Sequence, residues 1–222
     1  IFKQIECQDQ SILEIGCGWG GFAEYAHKQG AHYEKGITLS REQQQFAIER
    51  MRDQIQEQAF CLQDYRDEKK QYDRIVSIEM FEAVGKKYWP QYFKSIKSAL
   101  KPKGKAMVQT ITIQDDLFKR YVKSTDLIRT YIFPGGLLPC PSIFKHHAEQ
   151  AGLKVSYQHF FGDSYARTLS HWLEAFDKHK EAIDDLGYSQ QFQRLWRFYL
   201  TSCIAAFSCE KTNVMQVALE HA

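Results

Sequence analysis

The chain has 222 residues, with 29 basic and 27 acidic side chains and a formal net charge of +2. This near balance argues against a wholly basic nucleic-acid binder, so no nucleic acid is expected as a partner. With 44% hydrophobic residues, the chain can bury the core of one large domain, whereas two independent domains would be cramped. No apolar run approaches the roughly 18–20 residues of a membrane-spanning helix, and no signal peptide is visible.

The chain begins at Ile1, shortly before a glycine-rich segment. We therefore expect residues 1–222 to form a single domain that lacks its N-terminal segment. The six cysteines show no C-x-x-C spacing, which favours buried, reduced thiols in a cytoplasmic protein. The eight histidines form no H-x-x-x-H pair and no Cys/His cluster, so no metal is expected.

Helix and strand patterns alternate through the first 110 residues, which is typical of a parallel sheet covered by helices on both faces. The predicted strands are 11–15, 33–38, 58–63, 72–79 and 104–112. The predicted helices are 20–29, 40–57 with Ser40 as its N-cap, and 87–100. Short links from strand to helix place the carboxyl ends of the strands at one edge of the sheet, where ligands of such sheets bind.

The regular alternation breaks between residues 115 and 150, where the segment 131–139 is predicted to be a loop rich in apolar side chains. Such a loop either packs over the sheet edge or lines an apolar pocket. A strand at 153–160, helices near 165–185 and 189–208, and a strand at 213–219 complete the chain. The segments 115–150 and 162–208 are predicted to form the substrate side.

A basic run precedes this break. Residues 85–105 contain seven lysines and no acidic residue. The run suits anionic phosphate groups, and it equally suits a solvated helix face whose last lysines favour the helix dipole.

The most informative segment joins the first predicted strand to the glycine-rich turn Gly16-Cys17-Gly18-Trp19-Gly20-Gly21. Glycines can adopt positive φ and carry no side chain, so the backbone here can approach a nucleotide-like ligand closely. A nicotinamide enzyme would have a carboxylate at the end of the second strand, but that strand ends in Thr38-Leu39-Ser40. The acidic residue is Glu14 instead, at the position seen in S-adenosylmethionine (SAM) methyltransferases.

The third strand ends in Gln63-Asp64-Tyr65. An amide, a carboxylate and an aromatic ring suit hydrogen bonding at the edge of an adenine ring and stacking on its face. Asp64 has an alternative role as the cap of the following turn. Together with the glycine turn, these residues favour SAM as the ligand.

These motifs resemble the cyclopropane-fatty-acyl-phospholipid synthase and mycolic acid cyclopropane synthase family of SAM-dependent enzymes, over nearly the whole chain. Further matching segments are residues 36–40 with Gln43, 63–67, 80–85, 131–136 and 161–165. The resemblance implies an α/β fold of the class I SAM-dependent methyltransferase (Rossmann-like) type. Its seven-stranded sheet is mostly parallel with an antiparallel last strand, and it carries a lipid-facing helical insertion.

The resemblance assigns SAM contacts to the ends of the first three strands. The residues concerned are Glu14, Gly16, Cys17, Gly18, Trp19, Gly20, Thr38, Leu39, Ser40, Gln43, Gln63, Asp64 and Tyr65.

The reaction implied is transfer of the SAM methyl group to a cis double bond of an unsaturated phospholipid acyl chain, followed by proton loss and ring closure. It would take place at the membrane surface, with the enzyme cytoplasmic and peripheral to the inner face of the membrane. A dry pocket must align the poorly nucleophilic alkene. The family's base is a bound bicarbonate, whose contacts would be Glu82, the backbone of Ile111 and the hydroxyl of Tyr165.

The family's histidine, two residues before this isoleucine, is Gln109 here. Glutamine can donate a hydrogen bond to an anion but cannot titrate, so the change weakens ring closure more than carbon methylation. A cyclopropane is the first choice of product, and a 10-methyl or methylene branch is the runner-up. The family's Tyr-Ser-Cys segment, which lies upstream of the glycine turn, is not in this sequence.

Cys203 matches a family position once proposed as a nucleophile. Alkene methylation needs no covalent enzyme intermediate, so a buried helix thiol is preferred. Two other functions stay open: a small-molecule N- or O-methyltransferase of the same fold, and a SAM- or lipid-binding protein without catalysis. A homodimer is also left open.

Overall fold

The computed structural model describes residues 1–222. Its strands are β1 (Ser11–Ile15), β2 (His32–Thr38), β3 (Phe60–Leu62), β4 (Tyr72–Ile78), β5 (Leu100–Ile113), β6 (Leu153–Phe160) and β7 (Thr212–His221). They form one sheet in the order β3-β2-β1-β4-β5-β7-β6.

Nine α-helices connect the strands. They are α1 (Gly21–Lys28), α2 (Arg41–Arg50), α3 (Phe81–Val84), α4 (Trp89–Ala99), α5 (Asp115–Lys123), α6 (Pro141–Gln150), α7 (Gly162–Lys178), α8 (Lys180–Asp185) and α9 (Gln190–Ser208). Short 3-10 turns occupy Glu57–Ala59, Tyr65–Asp67 and Lys86–Tyr88, and a π-helical turn occupies Ile128–Ile132. None of the helices has the length and apolar character required to cross a bilayer.

Strands β1 to β5 pair in parallel. Strand β7 runs antiparallel to β6, since Ala222 donates to the carbonyl of Gly152 while Phe161 donates to the carbonyl of Val214. This sheet confirms the predicted fold class.

The chain forms two compact units. The first comprises residues 1–110, 142–159 and 216–222, and the second comprises 111–141 and 160–215. The segments predicted to form the substrate side, 115–150 and 162–208, have limits close to those of the second unit. Helix α6, which lies in the first of these segments, belongs almost wholly to the first unit instead.

Each unit has its own apolar core. In the first unit, Phe81 at the start of α3 packs against the rings of Trp89, Tyr92 and Phe93 from α4, with centroid distances of 4.8–5.4 Å. In the second unit, α7 and α9 pack together around a buried group, which consists of Leu169, Leu200, Phe207 and Val214. The aromatic residues of α4 therefore anchor the turn that follows β4.

The predicted helix 40–57 is too long. Ser40 does cap its start, by accepting from the backbone N–H of Gln43 at 3.2 Å, but the helix ends at Arg50. Asp53 has a φ of +66°, which no α-helix tolerates, and Gln56 is extended. In the same way, the predicted helix 165–185 divides at His179 into α7 and α8.

The segment between β5 and β6 is more helical than its sequence pattern indicates. Helices α5 and α6 and the π-helical turn take up most of it, and the irregular stretch is 133–140 rather than 131–139. Strand β5 starts at Leu100, four residues before the predicted 104.

Candidate active site

A cavity of about 600 Å³ lies in the first unit, at the carboxyl ends of β1 to β4. This volume is within the roughly 300–1,000 Å³ of small-molecule sites. The lining residues that were predicted as SAM contacts are Gly16, Gly18, Thr38, Leu39, Ser40, Gln43, Gln63, Asp64 and Tyr65. The remaining lining residues are Ile15, Ile37, Arg66, Ile78, Glu79, Met80, Ala83, Val84 and Tyr88.

The three glycines of the turn after β1 have φ values of +83°, +51° and +77° at Gly16, Gly18 and Gly20. A Cβ added at Gly16 would lie 2.9 Å from Cγ of Met80, and one at Gly20 would lie 3.1 Å from Cβ of Ala47. A Cβ at Gly18 would have no neighbour within 4 Å. Gly16 and Gly20 thus allow close packing of the protein, whereas Gly18 leaves room for a ligand.

Glu14 does not line the cavity. The residue is 2% exposed, and its carboxyl group accepts a 2.6 Å hydrogen bond from the hydroxyl of Tyr33 on β2. Burial raises the pKa of Glu14 to about 8, although the hydrogen bond from Tyr33 lowers it. A Cβ on Gly36 would lie 2.1 Å from the Tyr33 hydroxyl oxygen, so glycine there makes the contact possible.

Three other predicted contacts, Cys17, Trp19 and Gly20, also lie outside the cavity lining. Cys17 is buried, and burial raises its pKa to about 12. Trp19 is half exposed and packs edge-on against Phe46 at 5.3 Å. The contacts of both side chains in the structure are therefore with the protein.

The end of β2 forms a second wall of the cavity. The Thr38 hydroxyl donates to Oε1 of Gln43 at 2.9 Å and accepts from the backbone N–H of Ser40 at 3.2 Å. These bonds fix the loop between them, so that Leu39 is 73% exposed at the cavity wall. An exposed leucine held this way offers an apolar surface to a ligand.

The end of β3 supplies the third wall. The amide of Gln63 accepts from Lys35 at 2.8 Å and donates to Glu68 at 3.2 Å, while Lys35 and Glu68 form a 2.6 Å ion pair. The side chain of Gln63 is therefore held by protein partners from β2 and from the turn beyond β3.

Asp64 caps the 3-10 turn Tyr65–Asp67 by accepting from the backbone N–H of Arg66 at 2.9 Å. Its oxygens also accept from the guanidinium of Arg66 at 2.9 and 2.6 Å, which lowers the pKa of Asp64. The capping role is thus observed, and Asp64 lines the cavity as well. Tyr65 packs edge-on against Tyr92, with the ring centroids 5.7 Å apart.

Residue Glu79 directly follows β4 and has a φ of +53°, a region in which residues other than glycine are uncommon. Its backbone N–H donates to the carbonyl of Gln109 at 2.8 Å, and its Oε1 accepts from Nε2 of Gln109 at 2.8 Å. Oε1 of Gln109 accepts from Nε2 of Gln216 at 2.8 Å. Gln109, 9% exposed, is not a lining residue; its amide instead holds Glu79.

The other predicted catalytic residues divide between the two units. Glu82 is half-buried in the first turn of α3, in the first unit. Ile111, Tyr165 and Cys203 belong to the apolar cluster of the second unit. Burial raises the pKa of the Cys203 thiol to about 11, despite a hydrogen bond with Tyr199 that lowers it.

Several residues of this site were not predicted from the sequence. Tyr33 was missed because its role depends on the pairing of Glu14 with Gly36 across β1 and β2. Arg66, Met80 and Tyr88 lie within or beside the quoted motifs, but no sequence feature singled them out as cavity residues. Glu79 could have been found, because it is an acidic residue immediately after a buried strand.

The sheet order and the glycine-lined cavity define the fold of a class I SAM-dependent methyltransferase. The mycolic acid cyclopropane synthase CmaA1, solved with SAH and CTAB, superimposes with a TM-score of 0.88 at 26% identity, over 98% of this chain and 80% of that one. Coclaurine N-methyltransferase matches with a TM-score of 0.80 at 20% identity, over 99% of this chain and 68% of its own, and shares the fold.

A model of the mycolic acid cyclopropane synthetase family matches residues 2–217. The tuberculostearic acid methyltransferase of Mycobacterium tuberculosis is 36% identical over 96% of this chain and 50% of its own length. The cyclopropane-fatty-acyl-phospholipid synthase of Escherichia coli K12 is 38% identical over 93% of this chain and 52% of its own length. The chain belongs to the mycolic acid cyclopropane synthetase family, a family of SAM-dependent methyltransferases, and spans about half the length of these two relatives.

Proposed function

We propose that this chain is the SAM-binding and catalytic part of an enzyme that methylates a carbon of a cis double bond in an unsaturated phospholipid acyl chain. The observation that carries the proposal is the cavity, since residues of three separate motifs line it. Gly18 leaves space, Leu39 offers an apolar surface, and Asp64 and Tyr65 offer a carboxylate and a ring. When bound, SAM supplies an electrophilic methyl group.

The protein's own residues would hold and orient this ligand. The φ of +51° at Gly18 and the open space beside it suit the amino-acid or ribose part of SAM. The wall formed by Leu39 and Tyr65 suits the faces of an adenine ring. Bicarbonate, with contacts from Glu82, Ile111 and Tyr165, is the base that the family resemblance implies.

A cyclopropane is the first choice of product, and the cyclopropane synthase of E. coli supports it. A 10-methyl or methylene branch is the second candidate, and a specific observation favours it. Gln109 replaces the titratable histidine of the family, and its amide is held between Glu79 and Gln216.

The experiment incubates the full-length protein with methyl-labelled SAM and vesicles of unsaturated phospholipid, followed by mass spectrometry of the acyl chains. Labelled chains are expected, and their absence contradicts the proposal. Proton NMR of the product then separates a ring methylene from a vinylic methylene or a methyl branch. Labelling of a soluble amine with no labelled lipid would support the small-molecule alternative. Sedimentation with anionic vesicles tests the peripheral membrane location separately.

A further inference from the structure

Two aromatic side chains of the motif 131–136, in the second unit, are exposed and lie outside the cavity lining. Tyr131 is 67% exposed and Phe133 is 55% exposed. They lie two residues apart, at the end of the π-helical turn Ile128–Ile132 and just beyond it. A single exposed ring is ordinary, whereas two rings on one short segment are a candidate interaction surface.

Backbone hydrogen bonds hold Phe133 in place. Its N–H donates to the carbonyl of Ile128 at 2.8 Å, and its carbonyl accepts from the N–H of Gly136 at 3.0 Å. The second bond closes a turn whose central residues are Pro134 and Gly135, and Gly135 has a φ of +84°. Proline followed by glycine at positive φ is typical of a type II turn. The ring of Phe133 is therefore carried by a defined turn.

Three cationic side chains lie in the second half of α5. They are Lys119, Arg120 and Lys123, and all three are exposed. The acidic residues of this helix, Asp115 and Asp116, are in its first turn. The end of α5 that leads toward the aromatic segment is therefore positively charged.

The end of α5 is bound to the chain on both sides of the exposed rings. The guanidinium of Arg129 lies over the ring of Tyr121, 4.2 Å from its centroid, and donates to the carbonyl of Ser124. The hydroxyl of Tyr121 accepts from the backbone N–H of Leu138 at 3.4 Å. Asp126, which lies between α5 and the π-helical turn, forms a 2.8 Å ion pair with Arg129. These contacts bring the exposed rings and the charged end of α5 to one region of the second unit.

An aromatic contact links this region to the apolar cluster of the second unit. The ring of Phe133 packs edge-on against the ring of Tyr199 from α9, with the centroids 5.9 Å apart. Tyr199 packs against the same buried group as Ile111 and Tyr165. The family resemblance assigns contacts at the reacting groups to Ile111 and Tyr165. An acyl chain that entered beside Phe133 would therefore meet apolar side chains on its way to those residues.

We propose that Lys119, Arg120, Lys123, Tyr131 and Phe133 form a docking surface that binds an anionic phospholipid bilayer, and that the acyl chain leaves the bilayer beside Phe133. The inference rests on the proposed function, because that function requires a substrate held in a bilayer. Aromatic rings are favourable at the level of the lipid headgroups, and lysine and arginine are attracted to anionic lipids. The docking surface combines both kinds of side chain.

The test measures sedimentation of the full-length protein with two kinds of unsaturated vesicle. One contains phosphatidylglycerol and phosphatidylcholine, and the other contains phosphatidylcholine alone. The charge variant is Lys119→Gln/Arg120→Gln/Lys123→Gln, and the aromatic variant is Tyr131→Ser/Phe133→Ser. SAM affinity of each variant is measured by calorimetry and should equal that of the wild type, since the cavity lies in the first unit.

Each variant has a matched control in the second unit. Trp172→Ser/Phe198→Ser removes two rings that are 55% and 54% exposed on α7 and α9. The control for the charge variant removes three exposed cations from the same two helices and changes the net charge equally: Arg167→Gln/Lys178→Gln/Arg194→Gln.

We expect the charge variant to bind anionic vesicles about 100-fold more weakly than the wild type, at roughly fivefold per cation. Its binding to phosphatidylcholine vesicles should be unchanged. The aromatic variant should lose about tenfold or more on both kinds of vesicle, because its rings no longer enter the headgroup region. Both controls should bind as the wild type does.

The entry position has its own measurement. A phospholipid with a diazirine near the ester end of its acyl chain is illuminated with the wild type, and labelled peptides are found by mass spectrometry. Labelling of the segment 131–136 is expected. Labelling confined to other segments would overturn the entry beside Phe133.

Three results overturn the docking surface: wild-type binding by either variant, an equal loss in its control, or a dimer in solution that the aromatic variant abolishes. The last result would assign these residues to contact with a second copy of the chain. Turnover of phospholipid in neutral detergent micelles separates the two proposals. A wild type that labels acyl chains there but binds no vesicles refutes the docking surface alone, whereas one that labels no acyl chain in micelles or vesicles refutes the proposed function.

Discussion

The hydroxyl of Tyr33 donates a 2.6 Å hydrogen bond to the carboxyl group of Glu14 on the neighbouring strand, within the core of the first unit. Glu14 occupies the acidic position before the glycine turn, and the structure pairs it with a protein group. Its burial has consequences for stability as well as for the turn.

The first prediction concerns the pH dependence of stability. The pKa of Glu14 rises from its ordinary 4.5 to about 8 on folding. The unfolded chain therefore releases this proton at lower pH than the folded protein does. The stabilisation is fully present below pH 4.5 and is lost as pH rises through about 8. Glu14→Gln should flatten this decline, by on the order of a few kcal/mol between pH 5 and 8.

Urea unfolding at several pH values measures this difference. Glutamine keeps an acceptor for Tyr33, so the variant should remain folded. Glu49→Gln serves as the control, and its stability should follow the wild type. Parallel curves for wild type and Glu14→Gln would show that the carboxyl group titrates alike in both states.

The second prediction concerns Gly36. Alanine there would place its Cβ 2.1 Å from the Tyr33 hydroxyl oxygen and 2.9 Å from Cβ of Cys17. Tyr33 must then move and leave Glu14 without its donor, at a cost of about 1–3 kcal/mol. Gly21→Ala is the matched control, since its nearest neighbour is a flexible arginine nitrogen at 4.0 Å. Thermal unfolding of both variants tests this prediction, and Gly36→Ala should have the lower melting temperature. Equal melting temperatures would contradict the packing argument.

The third prediction concerns the apolar wall. Leu39 is 73% exposed, so Leu39→Ser should leave stability unchanged. Loss of its contact with a ligand should weaken SAM binding about tenfold, the equivalent of roughly 1.4 kcal/mol. Leu186→Ser changes a leucine that is 74% exposed in the second unit and should bind SAM as the wild type does. Calorimetry with SAM compares the two, and the idea fails if both bind alike.

The fourth prediction concerns the thiols. Burial raises the pKa of Cys203 to about 11, so its thiolate fraction at pH 8 should be about 100-fold below that of an unperturbed thiol. Exposed Cys209 should therefore react with iodoacetamide first. Peptide mass spectrometry of timed samples gives the order. Modification of Cys203 as fast as Cys209 would restore the case for a nucleophile.

The sequence was most informative where local order decides the structure. The glycine turn, the Ser40 cap and the segment 63–65 each fall at a strand end, and the structure gathers them around one cavity. It was least informative where pairing between strands decides. Tyr33 reaches Glu14 only because Glu14 lies beside Gly36 in the sheet. Glu79 and Gln109 are 30 residues apart and meet only because β4 and β5 are neighbours.

Gly16 and Met80 touch at the point where the turns after β1 and β4 meet, because glycine leaves no Cβ between them. Both residues line the cavity in which SAM is proposed to bind. A bulkier residue at position 16 would displace the turn after β1 and the turn after β4 at the same time. The width of the cavity between these two turns is therefore set by the missing side chain of Gly16, and a substitution there should weaken SAM binding by moving both turns.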